Sequence, residues 1–391
     1  MLATPPRSFL SRSTTDLRPS GIRKYFEIVA TMPDVVTLGI GEPDFVTPSH
    51  IMEAGIASLH AGHTGYTSNA GLIELRRALN TYLQRLYAVE YNPDTEMVIT
   101  VGASEAMFIA LRAILDPGDE VLVVEPCFVA YAAAVSIAGG VPVPINTRVE
   151  DAFQVTGAQL EAAITPRTKA IFIGYPNNPT GAILSQEHMR EVAAVAEKYD
   201  LVVISDEIYD RLVYGVEHIN FASLPGMFER TILLGGMSKA FAMTGWRIGY
   251  VCAPAPIMEG IKKLHQYLIM SAPTVSQYAA VEALEHGEPD VQHMQHEYDE
   301  RRKLIVGGFN SLGLTCFEPR GAFYAFPNIQ VTGMDDSHFC DTLLYEGRVA
   351  MIPGSAFGDC GAGHARASYA TSMENIHEAL ERLAKFMQRY G

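Results

Sequence analysis

Positive charge is scarce in this sequence: 29 lysines and arginines stand against 44 aspartates and glutamates, a formal net charge of -15. A surface that grips phosphate backbones needs clustered cations, so nucleic acid is not expected as a partner. Cysteine is sparse too. Cys127, Cys252, Cys316, Cys340 and Cys360 include no CxxC pair and form no regular framework. That argues against a disulfide scaffold, and it fits the reduced thiols of a cytoplasm. No metal site is expected. Also missing are an uninterrupted apolar run of roughly 18 residues and the apolar stretch of a secretion signal. Together these absences point to a soluble, cytoplasmic protein with no membrane partner.

What the sequence does have is bulk. Its 391 residues, 48% of them hydrophobic, suffice for a large core and for two or more domains. The polar first 20 residues, with their three prolines, are expected to form a loosely held arm ending at Ser20-Gly21. From about Glu120 to Ala253 the runs EVLVVEP, KAIFIGYP, LVVISDE, TILLGGMS and RIGYVCA alternate with amphipathic stretches. Runs that are apolar throughout predict strands buried on both faces of a mostly parallel α/β sheet. Between them Met107, Leu111, Ile114 and Leu115, and later Val192, Val195 and Ala196, recur at helical spacing. A long stretch of helical composition follows over about 254–300, then shorter elements of a smaller α+β domain. The expected divisions are 1–45 for the arm and part of the small domain, 46–290 for the large domain and 291–391 for the small C-terminal domain.

Ligands collect at the carboxyl ends of strands in such sheets. There the sequence puts Asn177-Asn178 after a strand ending at Tyr175, Asp206 after LVVIS, and Ser238-Lys239 after TILLGG. A lone lysine is usually a solvated surface group. Apolar Phe241, Met243 and Trp246 beside Lys239 predict partial desolvation, a lowered pKa and a neutral amine able to form an imine. Asp206 reads either as a helix N-cap or as the partner that keeps a pyridine nitrogen protonated, making the ring an electron sink. Tyr209 reads as a core tyrosine or as a donor to a ring oxygen. Arg247 reads as half of a buried ion pair or, with Ser238, as a fork for a phosphate. In TVGASEAM, Gly102, Ala103 and Ser104 open a helix whose N–H groups suit a phosphate. Phe128 reads as core or as a stacking surface.

YPNNPTG, SDEIYD and SKAFAMTGWRIGY, in that order and at those separations, resemble the class I/II aminotransferases of pyridoxal-phosphate fold type I. SGIRK and LGIGEPDF narrow the resemblance to the aspartate aminotransferase-like branch, and it runs from about Ser20 to the C-terminus. The resemblance implies a large domain with a mostly parallel seven-stranded sheet, a smaller α+β domain, and pyridoxal 5'-phosphate as cofactor. It implies Lys239 as the Schiff-base lysine, Asp206 as the pyridinium partner, Tyr209 and Asn178 as donors to the 3-oxygen, and Phe128 as the stacking aromatic. Ser238, Arg247 and the backbone at Gly102, Ala103 and Ser104 match the phosphate cup. Arg366, in HARASYA, matches the grip on the substrate α-carboxylate, helped by Asn178 and the backbone at Gly41; a planar guanidinium suits that task better than an ammonium. Tyr66, in GYTSNAG, matches a tyrosine offered to the phosphate of the neighbouring subunit, which implies a homodimer with shared sites.

Two departures bear on substrate. Some relatives specific for acidic substrates carry a lysine where this chain has Ser104, so a basic contact for a side-chain carboxylate is missing. Phe128 stands where tyrosine or tryptophan is usual, leaving the stacking surface apolar. The implied reaction is ping-pong transamination between an L-amino acid and a 2-oxo acid, with Lys239 moving the proton and 2-oxoglutarate or pyruvate as acceptor. Aspartate, alanine, aromatic or a broad set of amino acids are the donors this leaves open. A lyase, cyclopropane-forming synthase or decarboxylase of the same fold is the rival within the class; a lyase would need no acceptor. The effector domain of a transcription regulator is disfavoured, because only about 20 residues precede SGIRK and the charge is acidic.

Overall fold

The apolar runs become the strands of one seven-stranded sheet. The computed structural model describes residues 9–15, 17, 21–29 and 31–391; Ser20 and the greater part of the expected arm lie outside them. Side by side lie Met97–Thr100, Gly249–Cys252, Thr231–Gly236, Val202–Asp206, Thr168–Gly174, Glu120–Glu125 and Val141–Asn146. Six of them run in one direction; Gly249–Cys252 is antiparallel to both its neighbours. Val121 to Val124 and Ala170 to Ile173 are buried on successive residues, as strands covered on both faces must be. Each such valine, leucine or isoleucine contributes roughly 1.5–3 kcal/mol of burial.

Val141–Asn146 forms one edge of the sheet. Val141 donates its N–H to Asp119 O on the neighbouring segment at 2.8 Å. By the alternation of a strand, Val143 and Ile145 face the same way, and Pro142 and Pro144 turn toward the open edge.

Helix Gly102–Ile114 follows the first strand, with Leu115 just beyond its end. Helix Gln186–Lys198 starts where the Ser185 hydroxyl accepts the His188 N–H, and it buries Met189, Val192, Val195 and Ala196 at the predicted spacing. Three helices, Ala255–Leu268, Thr274–His286 and Glu288–Ser311, fill the expected helical stretch. His50 ties the last two to helix Ser49–His60: its Nδ1 lies 2.8 Å from Glu282 and its Nε2 2.9 Å from Asp290. Among the described residues no helix is long and apolar enough to cross a membrane.

The C-terminal part carries a small antiparallel sheet of Ile352–Pro353, Ala365–Ser368 and Tyr324–Ala325. Beside it, Val36–Thr37 pairs in parallel with Val349–Ala350. Ser368 donates its N–H to Leu38 O at 2.6 Å. This pairing carries the segment through Gly39 and Gly41 across to the ends of the large sheet's strands.

Candidate active site

The strand ends converge on a cavity of about 520 Å³ walled by both sheets' loops. Lys239, just past strand Thr231–Gly236, reaches into it and donates to the carbonyl of Gly41 at 2.6 Å. Burial holds its pKa down at about 8, with help from the cations Arg366 and Arg247 and against the pull of Glu42 and Asp206. The rings that desolvate the amine differ from those the sequence suggested. Tyr209 and Phe323 lie 5.8 and 5.7 Å from Nζ, whereas Phe241 and Met243 pack into a separate core cluster and Trp246 leans on it. Neighbours in sequence are not neighbours in space once the chain turns after Lys239.

Asp206 is the last residue of strand Val202–Asp206 and caps no helix; a turn follows, in which its Oδ1 accepts the Ile208 N–H at 3.2 Å. Its Oδ2 accepts the Tyr131 hydroxyl at 2.8 Å. Burial pushes its carboxyl up to about 6, opposed by those two hydrogen bonds and by Lys239. Tyr131 was absent from the sequence-based set. It lies three residues beyond Phe128, on the same face of its turn, and it stacks on Phe172 with ring centroids 4.1 Å apart. A Cβ at Gly174 would collide with its hydroxyl, so that strand must end in glycine. Phe128 meets Tyr131 edge to face at the cavity wall.

Of the adjacent asparagines, the first is structural. Asn177 follows a strand that ends at Gly174, one residue earlier than expected. It binds the carbonyls of Pro126 and Gly174 and accepts from Thr180, shaping the loop. Asn178 faces the cavity, and its Oδ1 accepts from Arg366 Nη1 at 2.9 Å.

Arg366 is 2% exposed. Its Nη2 donates to Gly39 O at 2.6 Å, and its guanidinium lies between the rings of Tyr324 and Phe357, 4.6 and 4.8 Å from their centroids. Among the described residues no carboxylate pairs with it, and its Nε has no partner. A buried cation without an anion is costly. Burial accordingly lowers its pKa. Tyr324, also missed by the sequence, joins its hydroxyl to that of Tyr209 at 2.8 Å. A Cβ on Gly41 would sit 2.5 Å from the Tyr324 oxygen, which explains the glycine there.

At the other end of the cavity stand Ala103, Ser104, Ser238 and Arg247. Arg247 makes no ion pair among the described residues; its Nη1 donates to Thr244 O at 2.9 Å. Its backbone lies in the left-handed region, φ 53, a strained choice for arginine. Gly102 stands behind the wall. It has φ +72, and a Cβ there would sit 2.5 Å from Arg247 Nη2, so only glycine leaves the guanidinium its place. Tyr66 does not join this set: it is 84% exposed and outside the cavity wall.

These residues fit pyridoxal 5'-phosphate. The first-turn N–H groups of Ala103 and Ser104 have no partner within their helix, and the glycine-cleared Arg247 stands beside them as a site for a phosphate. A buried carboxylate faces where a ring nitrogen would lie, and a desolvated amine stands at imine-forming range of the same space.

The comparisons with known proteins agree. Residues 33–383 match the family model described as aminotransferase class I and II. The chain is 50% identical over 382 residues to the putative aminotransferase YugH of Bacillus subtilis, covering 98% of this chain and 99% of that one. It is 46% identical over 375 residues to the aspartate aminotransferase of Pyrococcus abyssi, covering 95% and 96%. Among solved structures, the aromatic aminotransferase from Pyrococcus horikoshii superposes with a TM-score of 0.90 at 44% identity, covering 94% of this chain and 99% of that one. The chain therefore belongs to the class I and II aminotransferases, enzymes that use pyridoxal phosphate to move an amino group from an L-amino acid to a 2-oxo acid.

Proposed function

We propose that the protein is a homodimeric aminotransferase that prefers aromatic or other large apolar amino donors. The observation that carries the reading is Arg366, a buried cation facing the cavity without an anion; the α-carboxylate of an amino acid supplies the missing charge in bidentate form. Lys239, Arg247 and Arg366 are the cations of the cavity wall among the described residues. With the amine, the phosphate and the α-carboxylate assigned to them, no cation among the described wall residues is left for an acidic side chain, and Ile22, Val129 and Ile208 offer apolar surface instead. The relatives named for aspartate and for aromatic amino acids bracket this choice.

When bound, pyridoxal 5'-phosphate supplies an electron sink that acidifies the Cα–H bond of an attached amino acid. Asp206 keeps the ring nitrogen protonated. Tyr209, with Tyr324 behind it, and the amide nitrogen of Asn178 would donate to the cofactor's ring oxygen, and Phe128 would pack against the ring. Ser238, Arg247 and the backbone of Ala103 and Ser104 hold the phosphate, with Gly102 giving Arg247 its space. Lys239 would hold the cofactor through its amine, and that amine, once free, would serve as the base that takes the Cα proton and as the acid that returns it.

Tyr66 is read as reaching the phosphate of a second copy. Support comes from the exposure of Tyr66, Tyr267, Leu268 and Met270, on segments tied together by Asn69 donating to Met270 O and Thr274 to Gly65 O. Exposed apolar patches mark interfaces. Cysteines scattered without a CxxC pair fit a reducing cytoplasm. Residues 46–290 are read as the large domain, 291–391 as the small one, and 1–45 as the arm and part of the small domain; the pairing of Val36–Thr37 with Val349–Ala350 supports that division.

The experiment is a half-reaction screen. Single amino acids are mixed with the holoenzyme while the cofactor's visible absorbance is followed, with Lys239→Ala as control. Aromatic donors are expected to bleach the band fastest and a 2-oxo acid to restore it. Product release without an acceptor would move the protein to the lyases, and faster bleaching by aspartate than by aromatic donors would overturn the apolar preference.

A further inference from the structure

The turn that opens toward the phosphate is fastened from behind. Glu105, in the first turn of helix Gly102–Ile114, accepts the Val101 N–H through Oε2 at 2.6 Å and meets His265 Nδ1 through Oε1 at 2.7 Å. His265, on helix Ala255–Leu268, is 0% exposed, and its Nε2 has no hydrogen-bond partner among the described residues. A proton on Nε2 would be a buried donor left unsatisfied. The ring proton therefore belongs on Nδ1, donating to Glu105.

Neither side chain belongs to the cavity wall. A carboxylate is favoured in the first turn of a helix, but a phosphate dianion uses the same field and the same N–H groups. A loose Glu105 would compete for those groups and repel the dianion. Fastened by two hydrogen bonds, it takes only the Val101 N–H, outside the helix, and leaves those of Ala103 and Ser104 to the cavity.

We propose that Glu105 and His265 are a positioning pair for the phosphate-binding turn, holding its N–H groups open for the cofactor's phosphate. The proposal rests on the reading of Ala103, Ser104, Ser238 and Arg247 as the phosphate site.

The test compares two ligands that differ only in the phosphate. Cofactor-stripped protein is titrated with pyridoxal 5'-phosphate and separately with pyridoxal, by visible absorbance. The unaltered protein is set beside His265→Leu, His265→Gln, Glu105→Gln and Ser238→Ala. His265→Leu and Glu105→Gln are expected to lower the ratio of the two affinities on the order of tenfold, the worth of one charge-assisted hydrogen bond, with pyridoxal binding unchanged. His265→Gln keeps a donor toward Glu105 and is expected to recover most of the ratio. An unchanged ratio accompanied by weaker pyridoxal binding or lower thermal stability makes the pair merely structural and overturns the proposal. If His265→Leu does not fold, Glu105→Gln decides by the same criterion. Ser238→Ala separates the two levels: if it too leaves the ratio unaltered, the phosphate-site reading fails and takes the proposal with it.

Discussion

Arg366 and Asn178, 188 positions apart in sequence, are joined by a 2.9 Å hydrogen bond from guanidinium to amide oxygen. With Nη2 committed to Gly39, the guanidinium has a fixed plane before any substrate arrives, and its unpartnered Nε remains. A lysine, with three donors and no planar fork, could not hold both acceptors and still meet a carboxylate through two bonds. Arg366→Lys is expected to lower kcat/KM by on the order of 100-fold, mainly through KM, with the cofactor's absorbance retained. Stopped-flow half-reactions with a good donor read this directly; an unchanged KM would remove Arg366 from the substrate's carboxylate.

Burial of Asp206 costs the fold stability. Its carboxyl is pushed up to about 6 from an ordinary 3.8, chiefly by burial. A carboxyl whose pKa rises on folding costs stability above the raised value, and the cost fades as pH falls toward the ordinary one. Cofactor-free Asp206→Asn is therefore expected to be more stable than the unaltered protein at pH 8, by up to about 3 kcal/mol, with the difference vanishing by about pH 4. The same variant should bind cofactor poorly. Thermal melts across pH check the first part and visible titration the second.

If Tyr66 serves the neighbouring subunit, two disabled proteins complement each other. Lys239→Ala and Tyr66→Ala, each nearly inactive alone, are expected to regain activity when unfolded and refolded together, because one site of the mixed dimer has both residues intact. No gain over the parents would show that the sites are not shared.

His50 should give the fold a mild pH dependence. Its pKa is raised chiefly by its bond to Asp290; desolvation opposes this, and the bond to Glu282 adds to the rise. That stabilisation is complete below the ordinary histidine value and is lost as pH rises through the raised one. His50 is about a third exposed, so the effect is expected to stay under about 1 kcal/mol. His50→Gln should flatten the slope of chemical-denaturation stability between about pH 6 and 8; an unaltered slope would mean that the bridge contributes nothing.

The sequence carried most of the large sheet, because strands buried on both faces announce themselves as unbroken apolar runs. Met97–Thr100 escaped because it lies ahead of the stretch from Glu120 in which apolar runs alternate with helices, and Val141–Asn146 because alternate prolines disguise an edge strand. Lys239, Asp206 and Asn178 drew attention because motif and strand end coincide, Arg247 by its spacing from Lys239, and Arg366 by the family resemblance alone. Tyr324 was not: its contacts with Tyr209, Gly41 and Arg366 arise only when the small sheet folds back on the large one. Lys239's aromatic neighbours were misread for the same reason.

The prolines of Val141–Asn146 do more than mark an edge. The side of that strand turned to solvent lacks two of the N–H donors that an incoming strand would need. The sheet's margin therefore cannot template pairing with another chain. A sheet this apolar is safeguarded against aggregation at its open flank by covalent structure rather than by charge, and that protection persists at high salt and at any pH.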